Sequence, residues 1–173
     1  MVLKIIGSIM VISTSSFIGY YMSGHCSQRP VQLRILQDMI RMLENEIKFF
    51  STYISDAFRK ICSSIDSPVK EFFMSTVEKL EKEQGINASL AWEMAVRENI
   101  GKTALNAEDM DVLLAFGKML GNSDLEGQLK NTGFLLQQLG LQEKKAEEKK
   151  KKNERLYRTL GLLGGIATVV VLI

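Results

Sequence analysis

The chain has 173 residues, a formal net charge of +2, 24% charged and 46% hydrophobic residues, one histidine and two cysteines. A near-neutral balance excludes general nucleic-acid binding, which needs a dominant basic face. Cys26, Cys62 and His25 make no CxxC and no metal-ligand set, and both cysteines read as ordinary thiols of a reducing compartment.

The first element is an apolar run from Ile5 to Met22 without a charge, read as a membrane anchor over residues 1–24. Only Lys4 precedes it and no A-x-A follows, so it is not a cleaved signal peptide. A lipoprotein signal ending at Cys26 is disfavoured by His25, which stands where a small residue is needed. Its apolar side chains supply on the order of −3.5 kcal/mol toward insertion. Gly7, Ser8, Ser13, Thr14 and Ser16 reduce that sum, as do Ser15 and Gly19, the pair we single out for close packing against another membrane helix.

The middle, residues 25–141, is predicted as an all-α bundle of about six helices. Val31 to Ile54 places Leu33, Leu36, Ile40, Leu43, Ile47, Phe50 and Ile54 at spacings of three and four, one face of a core helix opened by Pro30. A second piece runs from Asp56 to Ile65. Ser67 is then expected to cap, and Pro68 to start, a helix carrying Phe72, Phe73, Val77 and Leu80 and closed by Gly85. Asn87 or Ser89 caps a helix with Ala91, Trp92, Ala95 and Val96, where Trp92 reads as core rather than as part of a ligand pocket. Asn106, with Asp109 three residues on, makes an imperfect capping box for a helix through Leu113, Phe116 and Gly117, closed by Gly121. Ser123 and Glu126 form another box, opening a long pattern through Leu125, Leu129, Leu136 and Leu139.

That pattern runs into a charged helix over residues 142–158, with i,i+4 pairs Glu147–Lys151, Glu148–Lys152 and Glu154–Arg158. Its basic residues Lys149, Lys150, Lys151, Lys152, Arg155 and Arg158 are the candidate membrane-surface contacts. Residues 159–173 are read as a second anchor. Fourteen apolar residues from Leu160 reach only ~21 Å against a ~30 Å hydrocarbon core, and adding Leu156 to Thr159 brings the span to ~27 Å. Gly161 and Gly165 repeat the GxxxG spacing of packed membrane helices. Basic residues concentrate between the two apolar ends, which puts the bundle in the cytoplasm with both ends pointing outward.

No P-loop, GxSxG, HExxH or Gly-rich dinucleotide turn occurs, so no catalytic, metal or cofactor residue is assigned and the chain is read as no enzyme. Gly117 and Gly121, four apart, are expected on one helix face that a neighbouring backbone approaches. Asp124 and Gln128 are expected four apart on the next helix. With Phe116 these residues form either a tight interhelical corner or a partner-docking patch.

Several stretches resemble one family. Leu114-Ala-Phe116-Gly117, then Leu120-Gly121, Asp124 and Gln128, are similar to the L-x-F-G-x-x-L-G-x-x-D-x-x-x-Q signature of stage III sporulation protein AB. Leu43-Glu44-x-Glu46-Ile47, Phe72-Phe73 and Ala91-Trp92 follow the same pattern. The likeness covers essentially the whole chain. It implies a membrane component of the sporulation complex joining mother cell and forespore, on the mother-cell side of the forespore membrane. Its helical domain would be similar to the platform proteins of type II secretion and type IV pilus systems. The partners so implied are a secretion-type ATPase, stage III sporulation protein AA, and ring-forming proteins of that complex; self-association is left open. The residues alone also allow a membrane-surface coiled-coil adaptor whose basic tract binds anionic lipid.

Overall fold

Spacings of three and four put Leu33, Leu36, Ile40, Leu43 and Ile47 on one buried side of the first helix of the bundle. The computed structural model describes residues 10, 14, 28–50, 53–83, 85–121 and 125–172, and every regular element among them is helical. In chain order these are α1 (Gln28–Phe50), α2 (Ile54–Cys62), α3 (Lys70–Lys82), α4 (Ala88–Asn99), α5 (Ala107–Gly117) and α6 (Leu125–Leu172), with a 3-10 turn at Ile100–Lys102. The chain divides into two compact units, and Arg29–Lys144 is the helical bundle. The α6 residues from Lys145 onward belong to the other unit.

Side-chain caps open two of the helices. Asn87 Oδ1 accepts from the Leu90 amide at 2.8 Å and opens α4. Asn106 Oδ1 accepts from the Asp109 amide at 3.0 Å while the Asn106 amide donates to Asp109 Oδ2 at 2.9 Å. The capping box of α5 is therefore complete, with aspartate in place of the usual glutamate. Gly85 and Gly121 close their helices at φ 86° and 79°, the left-handed region that glycine enters without strain.

Three expected boundaries are corrected. The single helix over 31–54 is two: Tyr53 sits at φ −58° and ψ 142°, and Ile54 begins α2. Ser51, Thr52 and Tyr53 follow Phe49 and Phe50, a run of hydroxyl and aromatic residues with poor helix propensity. The piece expected from Asp56 to Ile65 accordingly spans Ile54–Cys62. Neither Ser67 nor Pro68 starts α3. The amides of Lys70, Glu71 and Phe72 donate to the carbonyls of Ser67, Pro68 and Val69 at 3.1, 3.3 and 3.3 Å, a tight turn ahead of Lys70. Proline, with no amide to donate, contributes its carbonyl there.

Four rings from four helices meet at the centre of the bundle. Phe73 of α3 lies edge-on to Phe58 of α2 and to Trp92 of α4, at centroid separations of 4.9 and 5.1 Å. Phe116 of α5 meets Trp92 at 5.6 Å. Such pairs add about 0.5–1.5 kcal/mol each beyond the area they bury. The indole N–H, fully enclosed, donates to the Leu113 carbonyl at 2.8 Å, so Trp92 is core and its one polar group is satisfied. Cys62 is a free, buried thiol raised to about 11, chiefly by desolvation and further by the nearby Glu71 charge, which makes it unreactive at neutral pH. Cys26 lies outside the described residues.

The first expected anchor falls outside the described residues except for Met10 and Thr14, both helical, with the Thr14 hydroxyl donating to the Met10 carbonyl at 2.8 Å. The second continues α6, which holds its helix to Leu172. No helix among the described residues is long and apolar enough to cross a membrane.

Candidate partner-docking site

The residues singled out at the α5–α6 corner have separate positions. Gly117 is the last residue of α5 and Gly121 lies in the turn after it. The two do not share a helix face as expected, because α5 ends at Gly117. Gly117 instead makes room for a side chain. A Cβ there would stand 2.3 Å from Trp92 Cδ1, so only hydrogen fits between α5 and the indole. At Gly121 a Cβ would stand 3.3 Å from that of Ala88, and its positive φ disfavours any other residue.

Phe116 is buried with the aromatic centre behind it. Gln128, in the first turn of α6, borders a gap of about 10 Å³ shared with Leu43, Ile47 and Phe116, too small for a ligand. Asp124 and Ser123 lie outside the described residues, and with them the Asp124–Gln128 spacing and the second capping box.

Beside this corner α5 and α6 leave an open apolar groove of about 310 Å³, with Val112, Ala115 and Met119 on one wall and Phe134 and Leu135 on the other. Phe134 and Met119 are 55% and 46% exposed, large apolar side chains left at the lip of the groove. Sequence reading missed this face. The buried stripe of α6 is Thr132, Leu135, Leu139 and Gln142, while Leu129 and Leu136, on the expected stripe, are only half-buried. The clue was present, since Lys130, Phe134 and Leu141 follow a second periodic line on that helix.

A polar clamp fixes the helices behind the groove. Asp109, fully buried, accepts from Arg29 Nε at 2.7 Å and Nη2 at 2.8 Å, a two-pronged ion pair between the starts of α5 and α1. The same Nη2 donates to Gln142 Oε1 of α6 at 3.1 Å. The hydrogen bonds to Asp109, helped by its charge, raise the Arg29 pKa above its ordinary value despite burial. One turn on, Glu143 accepts from Arg34 at 2.7 Å and from Gln37 at 2.7 Å. Burial pushes its carboxyl up, but these hydrogen bonds outweigh it and leave the pKa below the ordinary glutamate value. Asp109 was legible as a cap and Arg29 only as a flanking charge. They are 80 residues apart, and no spacing rule links them.

In the other unit, Lys151, Lys152 and Arg155 of α6 border a groove of about 460 Å³ with Leu156 and Thr159. Lys149 is exposed and Lys150 half-buried on the same helix. Gly161 and Gly165 lie within α6, whereas Ser15 and Gly19 fall outside the described residues, as does any packing between them. Among the described residues no group of three His, Cys, Asp or Glu could hold a metal ion.

The chain is similar throughout to proteins already known. Stage III sporulation protein AB of Bacillus subtilis (strain 168) is 29% identical over 170 residues, 98% of this chain and 99% of that one. A solved structure of stage III sporulation protein AB superposes with a TM-score of 0.66 at 29% identity, over 71% of this chain and 96% of that one. A family model described as stage III sporulation protein AB matches residues 4–173. The chain therefore belongs to the stage III sporulation protein AB family.

Proposed function

We propose that this protein is a non-enzymatic membrane platform of the sporulation complex between mother cell and forespore. Residues 1–24 and 159–173 tether it to the membrane on the mother-cell side of the forespore, and the bundle projects into the cytoplasm to receive a secretion-type ATPase, stage III sporulation protein AA, and other proteins of that complex. The observation that carries this reading is the extent of the family match, residues 4–173. It takes in bundle, charged helix and apolar end together, so the arrangement belongs to a sporulation family as a whole. The clamped bundle, whose first, fifth and sixth helices are tied by Arg29, Asp109 and Gln142, supplies the stiffness that such a seat needs.

The basic groove at Lys151, Lys152 and Arg155 favours an added contact with anionic headgroups, about 1 kcal/mol per basic residue near the surface. A lipid-binding adaptor with no protein cargo is the second reading, and it rests on that groove alone.

We assign the ATPase to the Gly117–Gln128 corner, with Asp124 as the charge it meets. Charge reversal, Asp124→Lys, is expected to reduce co-purification of the ATPase with the membrane-embedded protein while leaving the helical circular-dichroism signal unchanged. Undiminished co-purification removes the docking site from this corner.

A further inference from the structure

The outer face of α5 is charged in opposite senses at its two ends. Asp111, Ala115 and Lys118 are all exposed, and their spacings of four and three put them on one line. Lys118 keeps helical angles, φ −59° and ψ −24°, so the line continues through it. Acid stands at one end, base at the other, and a methyl group lies between. Such a line matches its own copy when turned end for end: Asp111 meets Lys118, Lys118 meets Asp111, and the two Ala115 residues face each other at the axis.

The groove beside this line fits the same operation. It opens along Ala115 and Met119, and its lip carries Phe134, 55% exposed. A two-fold-related copy brings its own Phe134 to the opposite lip, where each ring covers apolar surface that a single chain leaves in water. Small alanine at the axis lets the helices approach closely, and Lys130, one turn from Phe134, adds positive charge at the end where the partner's acid arrives. A partner of one uniform charge would meet repulsion at one end of the line; a second copy does not.

We infer that this protein self-associates through the outer face of α5 and the α5–α6 groove, as a two-fold dimer centred on Ala115. This face adjoins the Gly117–Gln128 corner given to the ATPase and shares Lys118 and Met119 with it; the Asp124 variant tests that corner, and the exchange of positions 111 and 118 tests this face.

The test uses the full chain in detergent micelles, with Cys26→Ser and Ala115→Cys, oxidised over a dilution series to trap a disulfide-linked dimer. The expected result is a cross-linked dimer whose half-maximal concentration rises about tenfold in Asp111→Lys and in Lys118→Asp, since each reversal opposes like charges twice across the axis. The double variant D111K/K118D restores the original concentration, because the exchanged charges are again complementary. Both positions are exposed, and an unchanged far-ultraviolet spectrum shows that each variant folds. A dimer insensitive to the single reversals, one not restored by the double exchange, or no cross-link at all overturns the inference. Capture of a different protein at position 115 in cell membranes, without self-linkage, overturns it in favour of that partner.

Discussion

Gly117→Ala is expected to destabilise the bundle by about 2 kcal/mol, although alanine is the better helix former. The added methyl would stand 2.3 Å from Trp92 Cδ1, far inside contact distance. The indole has nowhere to retreat: Phe58, Phe73 and Phe116 surround it at centroid separations of 5.8, 5.1 and 5.6 Å, and its N–H is held by Leu113. Overpacking of this kind costs about 1–3 kcal/mol, and a clash this deep belongs at the top of that range. The gain in helix propensity, at most about 1 kcal/mol, offsets only part of it. Gly133→Ala in α6 is the control, because a methyl there meets nothing within 4 Å. It should stabilise by about 0.5–1 kcal/mol through the unfolded chain alone. Trp92 is the only tryptophan, so its fluorescence in urea reads both variants. Equal stability of the two alanine variants would mean that the indole does not rest on Gly117.

Asp109→Ala is expected to have the largest effect of any single substitution in the bundle. It removes both hydrogen bonds from Arg29 and the reciprocal half of the α5 cap. Among the described residues the guanidinium, its side chain 16% exposed, then keeps Gln142 as its hydrogen-bond partner, with the Glu108 charge acting on it from nearby. Stranding one member of a buried pair costs about 3–5 kcal/mol, and the lost cap adds about 1 kcal/mol. The loss should appear as a lower urea midpoint with an unchanged slope. Removing both charges is predicted to be far milder. Arg29→Met with Asp109→Asn keeps an oxygen for the Asn106 amide and leaves no unpaired ion, so it should recover most of the stability. A double variant as unstable as D109A would show that the pair itself, rather than the stranded charge, carries the energy.

These two sites mark where sequence reading reached and where it stopped. Asn87 and Asn106 were legible because a cap is decided within three residues of backbone. Gly85 and Gly121 were legible as closers for the same reason: a positive φ is a local demand. Gly117 was singled out as permitting a close approach, but the approaching group is the Trp92 ring, 25 positions back in the chain, and no local rule names it. The Arg29–Asp109 pair is hidden in the same way, since each partner has a sufficient local explanation of its own. The break before Ile54 was missed because the three-and-four spacing runs on across it, from one helix to the next. The groove was missed because attention went to the leucines of α6, while the exposed stripe is anchored by Phe134.

The central claim, a cytoplasmic bundle with both chain ends sent outward through the membrane, is tested most directly by thiol labelling. In a Cys26→Ser background, Glu78→Cys places a thiol on the exposed side of α3, and a cysteine added after Ile173 marks the other side. A membrane-impermeant maleimide applied to intact cells should label the added cysteine at once and Glu78→Cys only after lysis. Labelling of Glu78→Cys in unbroken cells, or protection of the added cysteine until lysis, would contradict it.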